Sequence, residues 1–317
     1  MKKQFSTKHK KRKIRPIFSF LIFILGVLIS FNILDRTPIE LTDKQIVTIL
    51  LTKSKFVEST ENPLKGIKKT LSKLYSNPEK LLSTTTSKLI KQESIIPVDK
   101  TDQEKDLNAP LIYIYNSHQT EEYAPSTFLE YNVNPTVMMA DYILEEVFND
   151  KDYKTLVEES SVKEILNQNN WKYSYSYHAS RTLLEQRKKE YPTLKYFIDV
   201  HRDSLPKEKT TIEINGKSYA KTIFLIGLEN QKYEENLKFT IELNDLLNER
   251  YPGLSKGIYK KGGAGVNGIY NQDFSPYVIL LEIGGYQNTT TEVMNSTLAF
   301  AECFMEVISI YENKTTS

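Results

Sequence analysis

The chain has 317 residues, of which 39% are apolar, enough for one sizeable domain with accessory segments. Eight of its 42 Lys and Arg residues lie in the first sixteen positions, which hold no acidic residue, so the rest of the chain carries 34 basic against 40 acidic residues. This balance argues against a nucleic-acid-binding surface outside the N-terminal tail.

The first predicted element is a membrane-spanning helix at residues 17–34, preceded by a basic tail at residues 1–16. Ile17 to Leu34 is an 18-residue stretch without a charged side chain. As a helix it spans roughly 27 Å, close to a hydrocarbon core of about 30 Å. The positive-inside rule keeps the tail in the cytoplasm and puts the rest of the chain outside. A cleaved signal peptide is the alternative, but Phe31 to Arg36 contains no small-x-small cleavage site.

Residues 35–108 are predicted to form an extracytoplasmic stalk. The segment is rich in Lys, Glu, Ser and Thr, and Pro63, Pro78 and Pro97 interrupt it. Short amphipathic helices are expected at Lys44–Phe56 and Leu64–Tyr75. Their apolar faces are too small for an independent core, so this part is expected to space the domain from the membrane or to bind a partner.

From residue 109 to residue 317 the pattern alternates strand and helix, which predicts an α/β domain with a central twisted sheet and helices on both faces. Asn215 and Gly216 predict a type I′ turn in a β-hairpin over Thr211–Ala220. The predicted strands are Leu111–Tyr115, Leu194–Val200, Thr222–Ile226 and Tyr277–Glu282. The predicted helices are Thr136–Phe148, Ser180–Glu190, Tyr233–Glu249 and Thr291–Ile310.

Four side chains at the ends of apolar runs indicate a catalytic zinc site. His118 and Glu121 follow the first predicted strand, His201 follows the second and Glu282 follows the last. A catalytic zinc takes three imidazole or carboxylate ligands, keeps one position open and needs a nearby free carboxylate as proton acceptor. A single His or Glu after a strand is usually a solvated loop residue. The four residues together are stronger evidence for a metal site than any one of them, because ligands in open α/β sheets bind at the carboxyl ends of strands.

Two further patterns bear on function. Gly263, Gly265 and Gly268 match G-x-G-x-x-G, but no helix pattern opens inside the motif, so a dinucleotide site is not predicted. The alternating aromatic run Trp171–Tyr177 favours one face of an edge strand or a packed loop. Contact with a glycan is the alternative for this run.

Five segments, in order and spread over about residues 110–312, resemble stage II sporulation protein P. They are Ile112–Tyr123, Ser176–Arg181, Ile198–Ser204, Tyr270–Asp273 and Leu281–Gly285 followed by Asn288. The resemblance implies a zinc-dependent N-acetylmuramoyl-L-alanine amidase with a phosphorylase/hydrolase-like fold, acting on peptidoglycan during engulfment in sporulation. It also implies a membrane anchor and a partner lytic transglycosylase, stage II sporulation protein D.

The same resemblance assigns roles to individual residues. His118, His201 and Glu121 match the zinc ligands, and Glu282 matches the catalytic base. Glu122 remains the alternative to Glu121, although the H-x-x-E spacing favours Glu121. The chain departs from the family at Asn116, where members often have the first histidine of His-Thr-His. The ligand is expected to be the second of those histidines, here His118.

Amide cleavage also calls for a cation and for groups that hold the substrate. Arg202 is the first candidate cation, with a salt bridge to Asp203 or Asp199 as its equal alternative. Asn271 and Gln272 are candidates for binding the substrate backbone, or else they hold the glycine-rich loop. Two other functions stay open: a zinc peptidase acting on stem peptides, and a wall-binding protein whose site has decayed.

Overall fold

The predicted strands form one sheet, in the part of the chain from residue 109 onward. The computed structural model describes residues 42–48, 51, 109–124, 126–128 and 131–315. The predicted tail, the predicted membrane helix and most of the predicted stalk lie outside the described residues.

Six strands form the central sheet, in the order β4-β1-β5-β10-β8-β9. Neighbouring strands are parallel except for β8, which runs antiparallel to β10. The strands are β1 (Ile112–Tyr115), β4 (Thr155–Val157), β5 (Tyr196–Asp203), β8 (Thr222–Gly227), β9 (Ser255–Lys261) and β10 (Val278–Gly285). The four predicted strands are confirmed. The prediction missed β4 and β9, the two edge strands, because neither contains a long apolar run.

Two small hairpins lie outside the central sheet. One pairs β2 (Ser126–Phe128) with β3 (Tyr131–Val133). The other pairs β6 (Thr211–Ile214) with β7 (Lys217–Ala220). Asn215 and Gly216 connect β6 and β7 with φ angles of 51° and 75°. The predicted hairpin with two positive-φ residues is confirmed.

Helices cover both faces of the sheet, as predicted. They are α1 (Met138–Asp150), α2 (Val162–Gln168), α3 (Ser176–Glu190), the single turn α4 (Lys207–Thr210), α5 (Tyr233–Arg250) and α6 (Thr290–Thr315). Side chains alternate across β1: Ile112 and Ile114 join the core under α1, α5 and α6, whereas Tyr113 and Tyr115 pack in a second cluster with Leu184 of α3.

Helix α6 is the main core helix. Thr290–Asn313 is long and apolar enough to cross a bilayer, but 56% of its most apolar window is buried inside the domain. Phe300, Cys303 and Phe304 are all within 1% of full burial. The apolar character of α6 is therefore explained by the core that it covers.

Part of the predicted stalk packs on the domain. Residues 43–48 are helical, and Ile46, Val47 and Leu51 are buried in the main core cluster. The Asp43 carboxylate accepts hydrogen bonds from the backbone N–H and the hydroxyl of Thr136, at 3.0 and 2.7 Å. That residues 35–108 space the domain from the membrane or bind a partner stays a prediction, but this segment packs on the domain itself and is helical near the start of the helix predicted at Lys44–Phe56. Its apolar face is too small to form a core alone, but it extends an existing one.

Arg187 of α3 compensates a buried carboxylate, and its loss is expected to destabilise the fold. Its Nε lies 2.8 Å from Oε2 of Glu158, whose side chain is 1% exposed and also accepts a bond from the Tyr113 hydroxyl. Burial alone would raise the pKa of Glu158, but the bonds from Arg187, Ser160 and Tyr113 lower it. We expect Arg187→Met to reduce the free energy of unfolding by about 3 kcal/mol, because it leaves a buried charge unpaired.

Denaturant titration of the full chain in mild detergent measures this loss. Since the pKa of Glu158 is lowered in the folded protein, its contribution is present above about pH 4.5 and is lost as the pH falls further. The difference between wild type and variant should therefore shrink in acid. Lys189→Met, at an exposed position on the same helix, is the control. Equal stability of both variants at neutral pH would contradict the assignment.

Candidate metal centre

Three neighbouring parallel strands bring the predicted residues to one edge of the sheet. In the β1–β5–β10 register, Tyr115 is opposite Asp199, and His201 is opposite Glu282. Residues opposite one another in a parallel pair face the same side, so Glu282 and His201 both project toward the α3 side. His118 and Glu121 lie in the turn that follows β1, where the Glu121 N–H donates to the His118 carbonyl at 3.1 Å.

His118, Glu121 and His201 form a group with the geometry of a metal site. One ligand atom from each lies within 4.8 Å of the other two. The Nδ1 atoms of His118 and His201 are 3.4 and 3.6 Å from the two carboxylate oxygens of Glu121. Two ligands bound to zinc at 2.0–2.1 Å with a tetrahedral angle are about 3.3 Å apart. The donor set and its spacing therefore fit zinc.

The Glu121 carboxylate is held in its ionised form. Its Oε2 accepts a 2.9 Å hydrogen bond from the backbone N–H of Arg202. Burial acts to raise the pKa of Glu121, but the nearby imidazoles of His118 and His201, the charge of His201 and the Arg202 N–H hold it well below its usual range. Glu122 is exposed and does not belong to the group. Of the two adjacent glutamates, the geometry therefore selects Glu121.

His201 is oriented by residues behind it. Its Nε2 lies 2.9 Å from Oδ1 of Asp199 and 2.9 Å from Oγ of Ser117, which leaves Nδ1 facing Glu121. Burial would lower the pKa of His201, but the carboxylates of Asp199 and Glu121 raise it to about 10. In the metal-free protein these carboxylates thus favour a protonated imidazole. A metal that binds Nδ1 must displace that proton.

Asp199 is expected to strengthen metal binding without touching the metal. It is fully buried, and it also accepts the backbone N–H and the hydroxyl of Ser117 at 2.9 and 2.8 Å. We expect Asp199→Asn to weaken zinc binding by about 10- to 100-fold, because the amide keeps the shape but loses the charge that stabilises a polarised imidazole.

Competition with a chromophoric chelator measures this affinity. Asp141→Asn is the matched control, since Asp141 is also fully buried near the site and burial raises its pKa well above the usual range, which favours the uncharged acid. An equal loss of affinity in both variants would show a general effect of buried carboxylates.

Glu282 is available as a base. It is partly buried, and none of its contacts among the described residues is a hydrogen bond or an ion pair. Burial raises its pKa, the charge of Asp203 raises it further, and His201 and Lys261 act in the opposite direction. Unlike Glu121, it is therefore free to exchange a proton.

Asn116, where the chain departs from the family pattern, points away from the metal group. It is buried on the α1 side, where its Nδ2 donates to the Val200 carbonyl at 2.9 Å and to Asp141 at 3.3 Å. Its position supports the expectation that His118, the second histidine of the pattern, is the residue facing the site.

Arg202 holds the loop that carries Glu121. Its Nε donates to the Glu122 carbonyl at 2.6 Å, and a terminal nitrogen donates to the Asp203 carbonyl at 3.2 Å. Within the described part of the chain it forms no ion pair with Asp203 or Asp199, so the alternative role as a salt bridge is wrong. Arg202 also lines an open pocket of about 490 Å³, together with Glu122, Tyr123, Ala124, Ser204 and Tyr286.

Asn271 and Gln272 are engaged inside the protein. Asn271 Nδ2 donates to the Tyr177 carbonyl and to the Ser180 hydroxyl, at 3.1 and 3.0 Å. Gln272 is 1% exposed, accepts from the Gly227 N–H and donates to the Leu225 carbonyl. Their proposed contact with substrate is corrected. Both amides fix the segment that follows the glycine-rich loop, which was the alternative prediction.

The sequence reasoning missed some residues around the site. Asp199 was considered only as a partner of Arg202, although a D-x-H spacing on a strand puts both side chains on one face. The run Trp171–Tyr177 is not an edge strand: Tyr173–Tyr175 form a 3₁₀ turn and α3 begins at Ser176. Tyr173 stacks on His118 with ring centres 5.0 Å apart, and Tyr177 stacks on His201 at 6.3 Å.

An α/β sheet with a His-Glu-His group at its carboxyl edge, and with Glu282 nearby forming no hydrogen bond among the described residues, defines an α/β protein with a candidate metal centre. Residues 36–305 match the family model of stage II sporulation protein P, and the chain belongs to this family. Stage II sporulation protein P of Bacillus subtilis (strain 168) is 34% identical over 205 residues, covering 62% of this chain and 51% of that protein. The chain thus spans about half the length of this relative.

Solved structures of amidases resemble the chain more distantly. The CwlD amidase from Clostridioides difficile, in complex with the GerS lipoprotein, is 13% identical, with a TM-score of 0.39 over 63% of this chain and 99% of that one. N-acetylmuramoyl-L-alanine amidase AmiC2 of Nostoc punctiforme is 8% identical, with a TM-score of 0.37 over 63% of this chain and 97% of that one.

Proposed function

We propose that the protein is a zinc-dependent N-acetylmuramoyl-L-alanine amidase, which cleaves the amide between N-acetylmuramic acid and the L-alanine of the stem peptide in sporulation. The observation that carries the proposal is the convergence of His118, Glu121 and His201 on one point, with Glu282 beside them and without a hydrogen bond or ion pair to any described residue. Membership of a sporulation family supplies the biological context.

Each residue of the site has its own role in the proposed amide hydrolysis. His118, Glu121 and His201 would hold zinc, which when bound supplies a Lewis acid and makes water nucleophilic at neutral pH. Glu282 accepts the proton of the attacking water on its carboxylate and returns it to the nitrogen of the leaving amine. A raised pKa suits both steps, because the same group must first take and then give a proton.

Other groups support these steps. Asp199 and Ser117 hold the His201 ring in one rotamer, in which its Nδ1 faces Glu121. Arg202, whose guanidinium donates to the Glu122 carbonyl next to the ligand Glu121, is the proposed cation that favours negative charge on the amide oxygen as the tetrahedral state forms. Arg202 thereby serves the reaction and the loop geometry together.

The proposal extends to the location and partners of the protein. The helix predicted at residues 17–34 would anchor it in the cell membrane, with the tail of residues 1–16 in the cytoplasm and the domain facing the wall. Its substrate would be peptidoglycan. A lytic transglycosylase of the stage II sporulation protein D kind is the expected partner, as the resemblance to the stage II sporulation protein P family implies.

Mass spectrometry of released products tests the reaction. Purified peptidoglycan is incubated with the full chain in mild detergent, with zinc or with a chelator. Free stem peptides and peptide-less glycan that depend on zinc support an amidase. Shortened peptides still attached to muramic acid would mean a zinc peptidase. No product, with the partner transglycosylase also present, would favour a binding protein and overturn the proposal.

A further inference from the structure

The two most exposed large aromatic side chains of the described residues lie in one 3₁₀ turn, which borders the candidate metal centre through Tyr173. Tyr173 is 58% exposed and Tyr175 51%, more than any other large apolar or aromatic side chain that the structure describes as exposed. Burial of aromatic rings is favourable. A cluster of exposed rings therefore marks a binding surface more often than a single exposed ring does. Trp171 stacks on Tyr175 at 6.1 Å, and Tyr173 lies in the same 3₁₀ turn as Tyr175, so we call these three residues the aromatic platform.

The platform borders the metal group through Tyr173. The Tyr173 ring is nearly parallel to the His118 imidazole, with an interplanar angle of 22° and ring centres 5.0 Å apart. More than half of the Tyr173 side chain nevertheless remains open to solvent. A substrate that reaches the metal must therefore pass alongside this ring.

The platform is also held in place before any ligand arrives. The Ser176 hydroxyl donates to the Tyr173 carbonyl at 2.6 Å, and the Trp171 N–H donates to the Leu166 carbonyl at 2.8 Å. Trp171 packs against the small apolar cluster between α2 and α3. Rings that are already ordered lose little conformational entropy on binding.

We propose that Trp171, Tyr173 and Tyr175 form the subsite that binds the glycan strand of the substrate. This inference rests on the proposed function, because in an amidase substrate the sugar is joined to the scissile amide through a short lactyl ether and must lie close to the metal. The apolar C–H face of a sugar packs against an aromatic face, while tyrosine hydroxyls bond to sugar hydroxyls. Residues 171–178 carry no acidic side chain that would repel the muramic acid carboxylates of a bare strand.

A fluorescence titration tests the subsite without the reaction. Trp171 is the only tryptophan of the chain, so its emission reports on the platform alone. The full chain in mild detergent, stripped of metal by a chelator, is titrated with peptide-free glycan strands of alternating N-acetylglucosamine and N-acetylmuramic acid. We expect a saturable change in emission, and co-sedimentation with insoluble strands gives a second measure of affinity.

Variants assign the binding to the rings. We expect Tyr173→Ala and Tyr175→Ala each to raise the Kd for the strands about tenfold, and Tyr173→Phe to recover most of the loss, because it keeps the ring face. Tyr259→Ala, at a 44% exposed tyrosine on β9, is the matched control and should bind like the wild type. Absence of saturable binding, or equal binding by wild type and Tyr175→Ala, would overturn the proposal.

A turnover measurement separates a glycan subsite from mere support of His118. Two substrates carry the same amide: a muropeptide with its sugars and a D-lactoyl peptide without them. We expect the ratio of their kcat/KM values to fall about tenfold in Tyr175→Ala, because the ring contacts of Tyr175 among the described residues are with Trp171 and His178 and not with the candidate ligands. An unchanged ratio would contradict the subsite. If the wild type releases no peptide, the proposed reaction fails, whereas the titration still decides on glycan binding.

Discussion

Glu282→Gln is expected to lower kcat for peptide release by about 10³-fold while zinc stays bound. A positioned general base contributes 10²- to 10⁴-fold, and glutamine cannot accept the proton of the attacking water. Glu282 is opposite His201 across the β5–β10 pair but makes no hydrogen bond among the described residues, so the substitution should leave the ligands in place. Product release by liquid chromatography and metal content by atomic emission measure the two quantities.

Glu213→Gln, at an exposed position on the β6–β7 hairpin, is the control for a change from carboxylate to amide. It should retain the activity of the wild type. Loss of zinc together with activity in Glu282→Gln would make Glu282 a ligand and not the base. Full activity in Glu282→Gln would remove it from the mechanism.

Glu121→Gln is expected to reduce zinc affinity by at least the order of 10³-fold and to abolish turnover at ordinary zinc concentrations. The Glu121 carboxylate faces the Nδ1 atoms of both histidines and is the only anionic member of the group. Its loss should therefore exceed the 10- to 100-fold that is typical of an outer partner such as Asp199. Chelator competition gives the affinity, and activity at increasing zinc shows whether excess metal restores turnover.

The neighbouring glutamate supplies the matched control. Glu122→Gln changes an exposed side chain one position further along, and its backbone carbonyl remains available to Arg202. We expect it to bind zinc like the wild type. If Glu122→Gln lost the metal and Glu121→Gln kept it, the assignment of the ligand from the geometry of the turn would be wrong.

The departure at Asn116 bears on whether the site is intact. A histidine is frequent at this position in the family pattern, yet here the side chain is buried against α1 and donates to Val200 and Asp141. The three donors that could hold a metal are complete without it. The departure thus changes the support under the strand end and leaves the three candidate donors in place.

Much of the fold follows from local pattern. The main elements can be recognised in the sequence, because each buries either a continuous apolar run or one regular face, and this produces a periodic pattern of apolar residues. They are the strands β1, β5, β8 and β10 and the helices α1, α3, α5 and α6. The edge strands β4 and β9 and the short helix α2 escape this reasoning. They are short or half polar, so their periodicity is weak.

The candidate site, too, could be predicted from the sequence only in part. The positions of His118, Glu121, His201 and Glu282 after apolar runs indicate a metal centre, since neighbouring parallel strands deliver their carboxyl ends to one edge. The roles of Asn271, Gln272 and Arg202 could not be decided from spacing. Each depends on contacts with residues 45 to 94 positions away, such as Gln272 with Gly227, Arg202 with Glu122 and Asn271 with Tyr177.

By itself, the sequence determined the class of fold, the order of its main elements and the four side chains of the site, because these depend on local periodicity and on residue type. Only the tertiary structure decided that Glu121 and not Glu122 faces both histidines, that Asp199 orients His201, that residues 43–48 and 51 extend the core, and that aromatic rings border the candidate metal centre. Those features come from the packing of segments that are far apart in the chain. Such contacts produce no periodic pattern of apolar residues, so they cannot be recognised in a single sequence.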